Sequence, residues 1–302
     1  MKNLKLNIIK KISSKDFDLK NKYEVYRFIK NKIPKGIRKN YEDINLSVPI
    51  RIFRNETTSS NVIIYIHGGG WVTGSVDSYT NICSKICKKT NSIVIAIDYR
   101  LAPEYKFPTG LLDCYEVIEN IYKNSELFGI DNKNITLMGD SAGGNIIAAI
   151  SIKNSREHKF KIKNQVLIYP ALQNDYSLAT KYQSVLENGE DYYLTRTMIS
   201  DYIDLYINDS KDLNNIYFAP LLCKWLFNQP RTLIITAELC PLKDEGYAYY
   251  KKLKRFFNYC EYYNIKGVIH GYFSSLIEVK KINETLEIIN NFIGENNVKE
   301  KK

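Results

Sequence analysis

The chain has 302 residues, of which 44% are hydrophobic and 25% charged, with a formal net charge of +10. That length suits one large α/β domain or two small ones, and the ordinary composition excludes a disordered or collagen-like chain. Its apolar runs fall short of the roughly 18 residues a membrane helix needs, so no stable membrane insertion is expected.

The N-terminal stretch from Met1 to Lys20 is basic, but Asn and Lys interrupt its apolar residues. Without an apolar core or small-residue cleavage site it does not read as a signal peptide, and cytoplasmic residence is expected. Six cysteines (Cys83, Cys87, Cys114, Cys223, Cys240, Cys260) show no paired CxxC spacing and are expected as reduced thiols, with neither disulfides nor a zinc site. The excess cations are mostly scattered lysines, with one small cluster at Lys251, Lys252, Lys254 and Arg255. They predict a solvated surface; a nucleic-acid reader would concentrate them on one stripe.

A charged, helix-compatible stretch (Lys20–Lys32) ends at Pro34 and Gly36. Asp43–Val48 and Pro49–Phe53 then read as two edge strands, where a leading proline is tolerated. Val62–Ile66, Ile93–Ile97, Ile135–Met138, Val166–Tyr169 and Leu233–Thr236 are short, almost continuous apolar runs. Such runs suit parallel strands covered on both faces. Helical patterns separate them at Tyr79–Lys89, Leu111–Lys123, Gly144–Lys153 and Asp244–Asn258. The alternation predicts an α/β, doubly wound, mostly parallel sheet with helices on both faces and ligands at the carboxyl ends of its strands. The aromatic-rich segment 171–228 breaks that rhythm and reads as helical, partly a lid.

Gly139-Asp140-Ser141-Ala142-Gly143 is a GxSxG sequence between an apolar strand and a small-residue helix. A serine on such a turn needs glycine neighbours and stands where a helix N-terminus favours developing negative charge, which makes Ser141 the candidate nucleophile. His67-Gly68-Gly69-Gly70-Trp71 follows another strand, and its backbone N–H groups, with that of Ala142, form a candidate oxyanion hole. Of three histidines, His67 belongs to that loop and His158 to a charged run, which leaves His270, beyond a short apolar run and after the serine, as the base.

With these motifs the chain resembles the hormone-sensitive-lipase-like α/β-hydrolases, the bacterial acetyl esterases and arylacetamide-deacetylase-type enzymes. The resemblance rests on residues 67–71, on Asp98-Tyr99-Arg100-Leu101-Ala102-Pro103-Glu104 with Phe107-Pro108, on residues 139–145, on Ala237-Glu238 followed by Pro241-Leu242 and Asp244-Glu245-Gly246, and on His270-Gly271. It implies an α/β-hydrolase fold over 41–302, a cap from residues 1–40 and an insertion at about 171–228. It further implies a serine carboxylesterase for short-acyl, acetyl-type esters that uses no cofactor or metal, and it allows a homodimer. By the same resemblance Gly69, Gly70 and Ala142 supply the oxyanion donors, while Arg100, Pro103 and Glu104 support the glycine loop.

One position departs from the family pattern. Cys240 occupies the place of the aspartate that orients the histidine. A thiol is a weak hydrogen-bond partner, and loss of a triad acid typically costs about 10⁴ in kcat. Asp244 and Asp175 are alternative acids, and Cys240 could act as a thiolate beside imidazolium and a helix N-terminus. An impaired, hydrolase-like small-ligand-binding protein is the alternative reading.

Overall fold

The computed structural model of the chain describes residues 18–31, 41–55, 61–275 and 277–299. The expected helix break at Pro34 and Gly36 and much of the 1–40 segment lie outside the described residues. Among the described residues no helix is long and apolar enough to cross a membrane.

In chain order the main elements are α1 (Leu19–Lys30), β1 (Glu42–Asn45), β2 (Pro49–Phe53), β3 (Val62–Ile66), α2 (Val76–Thr90), β4 (Ile93–Ile97) and α3 (Thr109–Lys123). There follow β5 (Ile135–Asp140), α4 (Ala142–Glu157), β6 (Asn164–Ile168), α5 (Gln183–Asn188), α6 (Arg196–Tyr206), β7 (Arg231–Leu239), α7 (Lys243–Arg255), β8 (Cys260–Ile269) and α8 (Val279–Lys299). The eight strands form one sheet in the order β1-β2-β4-β3-β5-β6-β7-β8. Strand β2 runs antiparallel to both neighbours, and every pairing from β4 to β8 is parallel. This is the mostly parallel sheet that the sequence pattern predicts and the α/β-hydrolase architecture that the resemblance implies.

All residues of β3, β4, β5 and β6 are buried, which is why their sequences are mostly apolar on both faces. Helices α2 and α8 pack on each other, as do α3 and α4. The turn into α2 is set by Ser75, whose hydroxyl accepts from the Ser78 N–H while the Ser78 side chain accepts from the Ser75 N–H.

One expectation needs correction, and two elements went unread. Strand β2 is interior, flanked by β1 and β4; Pro49 fits because pairing with β4 begins only at Ile50. Strand β8 is ten residues long, and only its last residues carried an apolar signal. The C-terminal helix α8 had no counterpart in the sequence reading. Within 171–228 lie α5, α6 and short 3-10 turns at Ser210–Asn214 and Pro220–Leu222, with long irregular connections.

Candidate active site

Strand β5 ends at Asp140, and the chain turns into α4 through Ser141, whose backbone is held at φ 54°, ψ −118°. This is a costly conformation for a residue with a Cβ, and the sheet over-determines it. The Ser141 N–H is bonded to the Ile168 carbonyl of β6 at 2.8 Å. The turn also packs so closely on the end of β3 that any Cβ at Gly143 would overlap the Ile66 backbone.

His270, just beyond β8, places Nε2 3.0 Å from Ser141 Oγ. Both residues line a cavity of about 360 Å³, together with Gly69, Gly70 and Ala142. The Gly68 N–H is bonded to Asp140 Oδ1 at 3.0 Å, while the N–H groups of Gly69 and Gly70 have no protein acceptor among the described residues. Ala142 is the first residue of α4, where helix geometry leaves N–H groups unpaired. Gly69, Gly70 and Ala142 therefore line the same cavity as the serine with backbone N–H groups that take no protein acceptor among the described residues. A substrate carbonyl entering it would meet a hydroxyl, an adjacent imidazole and a donor set suited to an oxyanion.

Asp140 fastens the glycine loop to the elbow. Its carboxylate accepts from Tyr65 Oη (2.8 Å), Tyr79 Oη (3.0 Å) and the Gly68 N–H. Burial pushes its carboxyl above the usual range, and these donors hold it back. The sequence reading passed over Asp140, because its partners come from separate elements, Tyr65 from β3 and Tyr79 from α2.

The other ring nitrogen of His270, Nδ1, faces Cys240 Sγ at 3.2 Å. Cys240 is fully buried, and burial pushes its thiol far above the ordinary value, so the side chain is a neutral thiol. This corrects the thiolate expectation: the Leu242 N–H lies 3.4 Å from the sulfur and opposes the shift, but desolvation dominates. The two alternative acids also lie elsewhere. Asp244 accepts from the Ser184 N–H at 2.7 Å, and Asp175 is exposed and accepts from the Ser177 N–H at 3.0 Å. Burial, with the charge of Lys30 as a second cause, lowers the His270 pKa to about 3.

His67 is buried, stacks on Tyr99 with centroids 4.4 Å apart, and has its pKa lowered by burial. His158 is exposed and caps α4. Arg100 makes its bonds to Asp113 of α3, so its support of the glycine loop is indirect. Glu104 is bound by Arg27 of α1, which also donates to the carbonyls of Val72 and Ala102. Helix α1 thereby reaches the site, and the sequence reading had not assigned its residues. Tyr23, Tyr26, Arg27 and Lys30 fall at i, i+3, i+4 and i+7, the spacing of one helix face. Tyr26 and Lys30 line the cavity, as do Met198, Ile199 and Tyr202 of α6.

Residues 63–274 match the family described as alpha/beta hydrolase fold, and the chain belongs to it. Within that family it is one of the hormone-sensitive-lipase-like carboxylic ester hydrolases. It is 38% identical over 239 residues to an arylesterase of Saccharolobus solfataricus, covering 78% of this chain and 75% of the relative. Similarity to an ethyl acetate hydrolase of Pseudomonas putida is 29% over 239 residues, covering 77% and 74% of the two chains. Among solved structures, an esterase of Pyrobaculum calidifontis superposes with a TM-score of 0.84 at 30% identity, covering 96% of this chain and 98% of the other.

Proposed function

We propose that the protein hydrolyses small, short-acyl esters through an acyl-enzyme on Ser141, with His270 as general base and then acid. Ser141 Oγ attacks the ester carbonyl carbon while its proton passes to His270 Nε2. The carbonyl oxygen takes the negative charge and is held by the N–H groups of Gly69, Gly70 and Ala142. Collapse expels the alcohol, which leaves with the proton from His270. Water, deprotonated by His270, attacks the acyl group and returns serine and a carboxylic acid. The segment 171–228 acts as the lid, and the cytoplasm is the compartment of this reading. The observation that carries it is the 3.0 Å approach of Nε2 to a hydroxyl fixed on a strained turn.

Cys240 sets the activity low. An ionised aspartate accepts only, which keeps the proton on Nδ1 and leaves Nε2 free to receive one from serine. A neutral thiol both donates and accepts weakly. When Sγ donates to Nδ1, the ring proton sits on Nε2 and the serine has no base. The weakened basicity of a ring whose pKa is about 3 adds to the loss. The same feature favours a second reading, a ligand-binding protein with vestigial chemistry. Turnover of an aryl acetate by the wild type, abolished in Ser141→Ala, supports the esterase. Absence of Ser141-dependent turnover in folded protein overturns it.

A further inference from the structure

Among the described residues lining the cavity above Ser141, Lys30 is the one lysine or arginine. Its ammonium donates to Tyr193 Oη and lies 4.8 Å from the Tyr193 ring centroid and 5.5 Å from that of Tyr26. The two phenol oxygens are 3.0 Å apart, so Lys30, Tyr26 and Tyr193 form one cluster. Tyr193 is held at φ 70°, a strained value for a tyrosine, and its ring comes within 3.6 Å of where a Cβ on Gly271 would stand. The cluster therefore borders His270-Gly271. Its partners are neutral hydroxyls and rings, and no carboxylate among the described residues pairs with the ammonium.

Two carboxylates do line the same cavity, Asp140 and Glu278. Asp140 is committed to three tyrosines and the Gly68 N–H. Glu278 enters beside Ile277, ahead of α8, and has a partner of its own. Lys30 is itself exposed, so its ammonium stands at the rim of a largely apolar space (Leu194, Met198, Ile199), where an anionic group of a bound ligand could reach it.

We propose that Lys30, framed by Tyr26 and Tyr193, is an anion subsite that selects esters bearing a free carboxylate, such as half-esters of short dicarboxylic acids. The inference rests on the esterase reading and names its substrate class. The substrate carboxylate accepts from the ammonium and a tyrosine hydroxyl while its ester carbonyl lies above Ser141. The bound carboxylate also offsets the positive charge that bears on His270, so anionic substrates gain in kcat as well as in binding.

The test compares monoethyl succinate, glutarate and adipate with the matching neutral monoamide esters, following ethanol release. For at least one chain length the wild type is expected to favour the anionic ester roughly ten- to hundredfold in kcat/KM, the span of one charge-assisted hydrogen bond. That ratio should collapse towards unity in Lys30→Met, whatever happens to the absolute rates, and fall below unity in Lys30→Glu. A wild-type ratio near one for every pair, or an unchanged ratio in Lys30→Met, overturns the subsite. Calorimetric titration of Ser141→Ala with glutarate at low salt reads the subsite without turnover. Lys30-dependent binding there with no ester hydrolysed supports the subsite and overturns the esterase reading. Absence of binding overturns the subsite alone.

Discussion

Replacing Cys240 by aspartate tests how the thiol limits the reaction. Sγ stands 3.2 Å from His270 Nδ1, within reach of a carboxylate oxygen placed on the same Cβ. The Leu242 N–H, 3.4 Å from the sulfur, is positioned to donate to that carboxylate. An ionised partner fixes the productive tautomer and stabilises the imidazolium that forms in the transition state. In serine hydrolases, loss of this partner costs about 10⁴ in kcat, and restoration is expected to recover roughly 10²–10⁴, about 3–5.5 kcal/mol of barrier. The substitution has a folding cost. It buries a second carboxyl near Glu245, whose own carboxyl burial holds well above its usual range. The assay is kcat for an aryl acetate across pH, with thermal unfolding as the control for folding.

The pH profile adds a signature that a structural effect would not produce. In the wild type His270 is neutral down to about pH 3, so the acid limb lies far below neutrality. A carboxylate on Nδ1 favours imidazolium and raises that pKa, so Cys240→Asp loses activity at higher pH, towards the ordinary imidazole value of about 6.5. A folded Cys240→Asp protein with an unchanged rate and an unmoved acid limb refutes the reasoning.

Other outcomes follow from the same geometry. Gly70→Ala adds a Cβ that overlaps the Tyr202 ring at a residue with φ 61°, so the loop must shift; kcat should fall roughly 10²-fold with the fold intact by circular dichroism. Arg27→Ala removes the tie between α1 and the carbonyls of Val72 and Ala102. Because Glu104 is half-exposed, the ion pair adds little, and a loss of about 1–2 kcal/mol in chemical denaturation is expected, with faster proteolysis beside α1. Cys240 should resist iodoacetamide in the native state at neutral pH and react on unfolding, as mass mapping would show; rapid native labelling would establish a thiolate.

The central strands were legible because burial on both faces keeps β3 to β6 mostly apolar, with buried polar residues only in β5 (Thr136, Asp140) and β6 (Asn164, Gln165). Strand β8 was not, because an edge strand with one neighbour carries Glu261, Asn264 and Lys266 among its apolar residues. Helix α8 did carry a signal, since Ile282, Leu286, Ile289 and Ile293 are buried at helical spacing, but asparagines and glutamates dilute it. The elbow and glycine loop could be read because their chemistry is encoded within a few consecutive residues. The contribution of α1 could not. Lys30 comes to line the cavity of His270 only through packing of distant segments, and nothing in its own neighbourhood records that placement. The neutrality of Cys240 is likewise a property of burial, which the surrounding residues do not spell out.

The central claim concerns one hydroxyl, and a fluorophosphonate reagent interrogates it directly. Mass spectrometry of the treated wild type should find a single stoichiometric phosphonyl adduct on the peptide containing Ser141, absent in Ser141→Ala and formed far more slowly in His270→Ala. An unmodified Ser141 in folded wild-type protein, or an adduct that forms at the same rate without His270, would contradict the account.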